Sequence, residues 1–321
     1  NELRVVEEEY LQGTPVEAPN DNPEREGEGS VVWGLDAVTT LNKSTEYINM
    51  CATADCDIVY ILLKDDLTYM RNGTPSTRVQ GIATIGGVCT VDKVAVGEDT
   101  PRTFTGVITM AHEIGHLLGS DHDGCPNATN CSALYGNLMS GIDKGMVNKS
   151  IMSECTKDQI RFLVRRLPDS CIYVNTTANF TNDLYPGENV THEEFCQLFH
   201  PNKTVNASTQ EDLRPCELYC CWEGSLEPSY ENSASALPTE SEGLSATSEE
   251  SDDEDTTEYS ESGEETLEFC TRHYMLDGMT CNETQTCYKG ICGNHSWDDI
   301  RRNYHTNRTF LNLSEEVPAL L

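Results

Sequence analysis

Three histidines, a glutamate and a glycine share one short stretch, HEIGHLLGSDHD, running from His112 to Asp123. His112 and His116 are four residues apart, one turn along the same face of a helix. Two imidazoles so placed can both reach one Zn2+ at about 2.0–2.1 Å. Gly119 tolerates positive φ and lets the chain turn sharply out of the helix. That turn brings His122 back as a third nitrogen ligand. Three protein ligands leave a fourth position open, as a catalytic zinc site requires; a structural zinc module would need a fourth protein ligand, and none is evident nearby. Glu113 adjoins the ligands without being one. Its carboxylate can take a proton from zinc-activated water attacking a peptide carbonyl, which the metal also polarises.

The elements that must hold these groups follow from the flanking pattern. Residues 105–119 read as a helix whose apolar stripe is Val107, Ala111, Ile114 and Leu118, with His112, Glu113 and His116 opposite, facing a cleft. Residues 57–63 form a buried-strand pattern, and residues 81–89 a second strand broken by glycines. Residues 3–6 suggest a strand. Residues 31–48 read as a helix anchored by Leu35, Val38 and Leu41. Cys51 and Cys56 are close enough to clip a short loop. Residues 125–150 are a glycine- and cysteine-rich loop region. Residues 156–167 read as a helix with a Thr156/Gln159 capping box and a face of Ile160, Leu163, Val164 and Leu167, stopped by Pro168. Cys125, Cys131 and Cys155 cannot be paired from sequence alone.

HExxHxxGxxH is the zinc signature of the metzincins, and Asp123 after it resembles the reprolysin (adamalysin, ADAM-type) branch. The resemblance spans roughly residues 3–171. It implies an α/β (α+β) catalytic domain with a mixed twisted sheet, an antiparallel edge strand and an active-site helix. It further implies His112, His116 and His122 as zinc ligands and Glu113 as general base. Met139 would be the methionine turn beneath the metal, because Met152-Ser153-Glu154-Cys155 fits a different family segment. Asp123 would orient local backbone or a ligand. A Cys89–Cys171 disulfide and backbone pairing of an extended substrate along residues 81–89 are also implied. A full reprolysin domain starts with a strand and long helix upstream, so the domain is expected to be N-terminally incomplete, the chain being a fragment or processed form that begins at Asn1.

The chain has 321 residues, 15 cysteines and a formal net charge of -33. Such acidity disfavours nucleic acid and anionic membranes, and there is no apolar run long enough to span a bilayer. The cysteines indicate an oxidising compartment, and Asn-x-Ser/Thr triplets recurring from Asn42 to Asn312 indicate a secreted glycoprotein. The expected organisation is a metalloprotease domain at 1–171, a cysteine-rich module in two parts at 172–222 and 268–295, a disordered acidic insertion at 223–267 and a polar tail at 296–321. His192, His200, His273, His295 and His305 lack ligand spacing and are read as surface histidines. The vicinal Cys220–Cys221 pair and the run LDGMTCNETQTCYKGICG resemble the short cysteine-rich domain of secreted tick salivary metalloproteases. On that resemblance the substrates are extracellular proteins, with host fibrinogen, fibrin or matrix proteins as targets during blood feeding. The alternative is a non-catalytic secreted protein that binds a partner through the cysteine-rich module.

Overall fold

The computed structural model describes residues 15–19, 31–50, 56–172, 184–210, 214–224 and 267–308. The strand expected at residues 3–6 and Cys51 lie outside these, as do residues 225–266 of the acidic insertion. In chain order the first part runs β1 (Pro15–Pro19), β2 (Val31–Asp36), α1 (Ala37–Met50), β3 (Val59–Leu63), β4 (Asp66–Arg71), β5 (Thr74–Ser76), β6 (Gly81–Ala83), β7 (Val94–Glu98), α2 (Gly106–Leu117), α3 (Glu154–Val164) and α4 (Asp169–Ile172). Its strands form two hydrogen-bonded groups, β1-β2-β4-β5 and β3-β7-β6. Both are mixed: β2 runs parallel to β4 and β3 parallel to β7, while β6 joins β7 antiparallel as an edge. Leu35, Leu41, Ile48, Leu67, Val94 and Val96 make the core between strands and α1.

Several elements differ from the expectations. The predicted helix at 31–48 is a strand followed by a helix. Asp36 ends the strand and its Oδ1 accepts the Thr39 N–H at 2.8 Å, so the helix starts at Ala37. Leu35 is then buried from the strand and Leu41 from the helix, while Val38 is 42 % exposed. The strand at 81–89 is only three residues long. The Gly86 N–H bonds to His116 O and the Val88 N–H to Leu117 O, which pulls the chain out of the sheet onto the end of α2. The helix expected at 156–167 begins earlier, at Glu154, capped by Ser153, whose Oγ accepts the Thr156 N–H. Thr156 is itself buried, and the Gln159 side chain is engaged elsewhere. Cys89 pairs with Cys171, as the resemblance implied, and Cys131 pairs with Cys155, leaving Cys125 free.

The second part holds α5 (His192–Phe199), β8 (Asn206–Gln210), β9 (Arg214–Gly224), β10 (Leu267–Tyr274), β11 (Thr286–Tyr288), β12 (Ile291–Gly293) and α6 (Trp297–Arg308). β9 is the middle of a three-stranded antiparallel sheet, and its pairing with β10 extends to Gly224 opposite Leu267. Both ends of the expected acidic insertion are therefore strand. Side chains alternate across a strand, so Cys216, Leu218, Cys220 and Trp222 share the core face. The adjacent Cys220 and Cys221 point to opposite faces and take different partners. Cys220 bonds Cys196 beneath the sheet, and Cys221 bonds Cys270 directly across the strands. Cys216–Cys287 and Cys281–Cys292 tie in the last hairpin.

Two more expectations are corrected here. Residues 297–308 of the polar tail are helical. Trp297 packs 4.6 Å from the Tyr185 ring, and Arg301 pairs with Glu188, which gives the helix a docking surface that its polar sequence hides. His200 and His273 are not surface residues but 4 % and 7 % exposed, each with Nε2 on the Thr271 hydroxyl. They are satisfied core histidines, His200 through a strand distant in sequence and His273 through a neighbour on its own strand. Among the described residues no helix is long and apolar enough to cross a membrane.

Candidate metal centre

Helix α2 does not bury the expected apolar stripe. Glu113, Gly115, His116 and Leu117 are buried, whereas Val107 is 56 % exposed. The helix lies between the β6–β7 edge on one side and the segment after Met139 on the other, so both faces are covered near its C-terminal end. Met139 is fully buried, and a Cβ on Gly115 would stand 2.5 Å from its Sδ. The thioether therefore packs on the helical turn between His112 and His116. Met152, the rejected candidate, is 40 % exposed.

The helix ends at Leu118, and Gly119 takes φ +93°, a conformation that suits glycine. Leu163 of α3 also fills the space a side chain there would need. Beyond the turn the backbone is held at each step. Gln159 Oε1 accepts the Asp121 N–H at 2.7 Å, and Asp121 Oδ1 accepts the His122 N–H at 2.8 Å. The Asp123 N–H donates to Met139 O at 2.9 Å, and the Ser153 hydroxyl donates to Asp123 Oδ1 at 2.6 Å. Buried Asp123 thus joins the histidine loop, the Met139 segment and the start of α3.

This scaffold brings the three histidines together. His122 Nε2 lies 3.0 Å from His112 Nε2 and 3.1 Å from His116 Nε2. His112 Nδ1 is 2.7 Å from Leu138 O and His116 Nδ1 is 2.8 Å from Ser120 O. A carbonyl only accepts, so both Nδ1 atoms carry hydrogen and both Nε2 atoms present lone pairs. A proton on His122 Nε2 could satisfy only one of them. A cation among the three satisfies all, and a set of three neutral imidazoles fits zinc. Burial, then the neighbouring His116, pulls His112 down to about 3; burial also lowers His116 and His122. All three are thus neutral near pH 7, the state that binds metal.

Glu113 is placed beside the cluster, 4 % exposed, with Oε2 lacking a hydrogen-bond partner. Burial alone pushes its carboxyl up to about 8; a nearby divalent cation opposes that shift. The carboxylate fits because two glycines face each other across the β6–β7 pair, Gly81 opposite Gly97. A Cβ on Gly81 would stand 2.7 Å from Glu113 Oε1, and one on Gly97 would overlap the Tyr60 hydroxyl, itself buried and unpartnered. Gly81, Gly97, Tyr60, Gln159 and the Leu138 and Ser120 carbonyls escaped the sequence reading. Only the glycines carried a signal, as breaks in strand patterns.

A mixed sheet over a helix that ends in a glycine turn, with convergent neutral imidazoles and a buried glutamate, is an arrangement suited to a metallopeptidase. Comparison with known proteins narrows it: residues 27–123 match the metallo-peptidase family M12B reprolysin-like model, so this part of the chain is similar to the reprolysins. The chain is similar to the venom metalloproteinase antarease TserMP_A of Tityus serrulatus, 33 % identical over 135 residues, covering 38 % of this chain and 34 % of that protein. It is also similar to the venom metalloproteinase BumaMPs1 of Olivierus martensii, 32 % identical over 146 residues, 43 % of this chain and 36 % of the relative. A human protein, a disintegrin and metalloproteinase with thrombospondin motifs 13, is 27 % identical over 180 residues, 54 % of this chain and 12 % of its own length. The chain thus spans about a third of the length of the two venom proteins.

Proposed function

We propose that the protein is a secreted, zinc-dependent endopeptidase that cleaves extended segments of extracellular proteins. The observation that carries this reading is the convergence of three Nε2 atoms within 3.0 and 3.1 Å, two of them with Nδ1 anchored on backbone carbonyls. His112, His116 and His122 would hold the metal, and a zinc ion bound there supplies Lewis acidity toward water and toward a peptide carbonyl. Glu113 takes the proton of the attacking water on its unpartnered Oε2 and returns it to the leaving amine. Its slot under Gly81 keeps the carboxylate from rotating away. Among the described residues β6 pairs only with β7, so its other edge can accept an extended substrate as an added strand. That edge offers three residues, Gly81–Ala83, rather than the nine expected.

Secretion is supported by the disulfides of both parts and by the venom relatives. Fibrinogen, fibrin and matrix proteins are the substrates to try first, following the salivary resemblance; the relatives named above are venom and thrombospondin-motif proteins, so that choice rests on the sequence motifs alone. The expected domain division, with one cysteine-rich module interrupted by the acidic segment, is supported by the shared core of Phe195, Leu218, Met275 and Cys287.

The test compares wild type with Glu113→Ala on casein and gelatin, alongside zinc analysis. Both proteins should carry one zinc each, and the variant should lose cleavage by a factor of about 100 or more, as removal of a general base does. Zinc binding without cleavage in the wild type would favour a non-catalytic binder. Activity retained in the variant would remove Glu113 from the mechanism.

A further inference from the structure

The loop at residues 140–149 leaves the metal centre directly. It starts from Leu138, whose carbonyl anchors His112, and from Met139 beneath the helix. It returns at Lys149, whose charge acts on His112. It has no helix or strand of its own, and it carries Ile142 and Val147, 40 % and 49 % exposed, three and eight residues after Met139. Apolar side chains exposed next to a reaction centre form a natural wall for a substrate side chain.

The other flank of this loop is held by the cysteine-rich module. The Tyr274 hydroxyl donates to Asp143 Oδ2 at 2.7 Å, and Arg272 Nη2 lies 3.9 Å from the same oxygen. Arg272 is itself oriented by Glu217, 3.6 Å away on β9. The second oxygen of Asp143 accepts the loop's own Gly145 N–H at 3.0 Å. One carboxylate therefore fixes the loop's turn and fastens it to β10. Next to it, Gly290 approaches so closely that a Cβ would stand 2.6 Å from Met146 Cβ. Burial, then the hydrogen bond to Asp143, raises the Tyr274 hydroxyl well above the usual tyrosine range, so it remains a donor.

We propose that Tyr274 and Arg272 are positioning residues for the substrate cleft: through Asp143 they fix the wall formed by residues 140–149, and so make the cysteine-rich module a determinant of which side chain is accepted beside the scissile bond. A loop without regular structure samples many conformers unless tied, and small displacements at a cleft wall change how well a substrate is aligned. The inference rests on the protease reading above, and its test separates the two.

The full chain is compared with Tyr274→Phe, Asp143→Ala and the double variant. Hydrogen exchange read by mass spectrometry, with zinc analysis, needs no activity. Exchange of residues 140–149 should rise about threefold to tenfold in each single variant, the range for a hydrogen bond to a half-exposed charge. Exchange of α2 and the zinc content should stay as in wild type, and the double variant should add little to the singles. Unchanged exchange in the loop, or an equal rise across α2 and β7, overturns the brace. The second arm uses two peptides built on a mapped casein cleavage site, differing only as Leu or Ala just after the scissile bond. Tyr274→Phe should lower the Leu/Ala ratio of kcat/KM about threefold or more, mainly through KM; an unchanged ratio overturns the specificity role. A wild type that cleaves nothing defeats the protease reading, and the exchange arm still decides on the brace.

Discussion

Residues 56–172 bury Val94, Val96, Leu117 and Met139 between sheet and helix and are closed by two disulfides. Residues 184–224 with 267–308 are closed by four, and their cystines are themselves core: Cys196, Cys216, Cys220, Cys281 and Cys287 are all buried in one cluster. The first part stabilises itself by apolar packing and uses its polar groups to aim side chains at one point. The second is too small for such a core and replaces it with covalent links. Chemistry and cross-linking are thus divided between them, and the two meet at Asp143.

The division breaks most visibly if the covalent core is opened. Replacing both Cys216 and Cys287 by Ser removes a link across 71 residues. Loop entropy alone sets that loss at about 4 kcal/mol, an upper value because Cys221–Cys270 already shortens the loop. In hydrogen exchange, β9 and β10 should lose protection while α2 keeps it and zinc stays bound. The loop at 140–149 should follow β10. Loss of protection in α2 to the same degree would show that the two parts are one cooperative unit.

The converse disturbance acts on the histidine side. Ser153→Ala removes the cap of α3 and, among the described residues, the only hydrogen bond to Asp123 Oδ1, whose Oδ2 has no partner among them. A lost cap costs about 1 kcal/mol and a buried carboxylate left unsatisfied about 1–3 more. Residues 56–172 should lose about 2–4 kcal/mol in denaturant unfolding, and zinc affinity should fall about tenfold or more through the displaced histidine loop. The β9–β10 sheet should be untouched. Zinc affinity equal to wild type would mean that Asp123 does not position the loop.

How much of this could be read from the sequence depends on distance along the chain. His112, Glu113, His116, Gly119 and His122 lie within one helix and one turn, where spacing dictates geometry. Their supports do not: Leu138, Ser153 and Gln159 reach the site from 26, 30 and 38 residues away, and backbone carbonyls leave no mark in sequence. The helix expected at 31–48 failed because Leu35, Val38 and Leu41 have helical spacing whether or not Asp36 interrupts them, and the cap settled the boundary. His200 looked like a surface residue because its partner Thr271 lies 71 residues away, and His273 because its place on the same face as Thr271 shows only once residues 267–274 are known to be a strand. In the module, strand alternation in Cys216-Leu218-Cys220-Trp222 was present, but the partner strand follows the long acidic segment.

The smallest expected effect sharpens the comparison on the module side. α5 begins with a capping box in which the Thr191 side chain accepts the Glu194 N–H at 3.1 Å and Glu194 Oε2 accepts the Thr191 N–H at 3.0 Å. Hydrogen bonds from the Thr191 backbone and side chain hold the Glu194 carboxyl below its ordinary value. A depressed folded value means the unfolded chain binds the proton first, so the contribution is present above the ordinary glutamate range and is lost as pH falls through the depressed folded value. Thr191→Ala should destabilise α5 by about 1 kcal/mol at neutral pH. Glu194→Gln should remove the acid-dependent part, giving a module whose unfolding midpoint varies less between mildly acidic and strongly acidic solution than wild type. Cys196, one turn on, is bonded to Cys220, so the loss should stay confined to the first turn of α5 and leave β9 protected. An acid profile identical to wild type would assign that pH dependence to other carboxylates of the module.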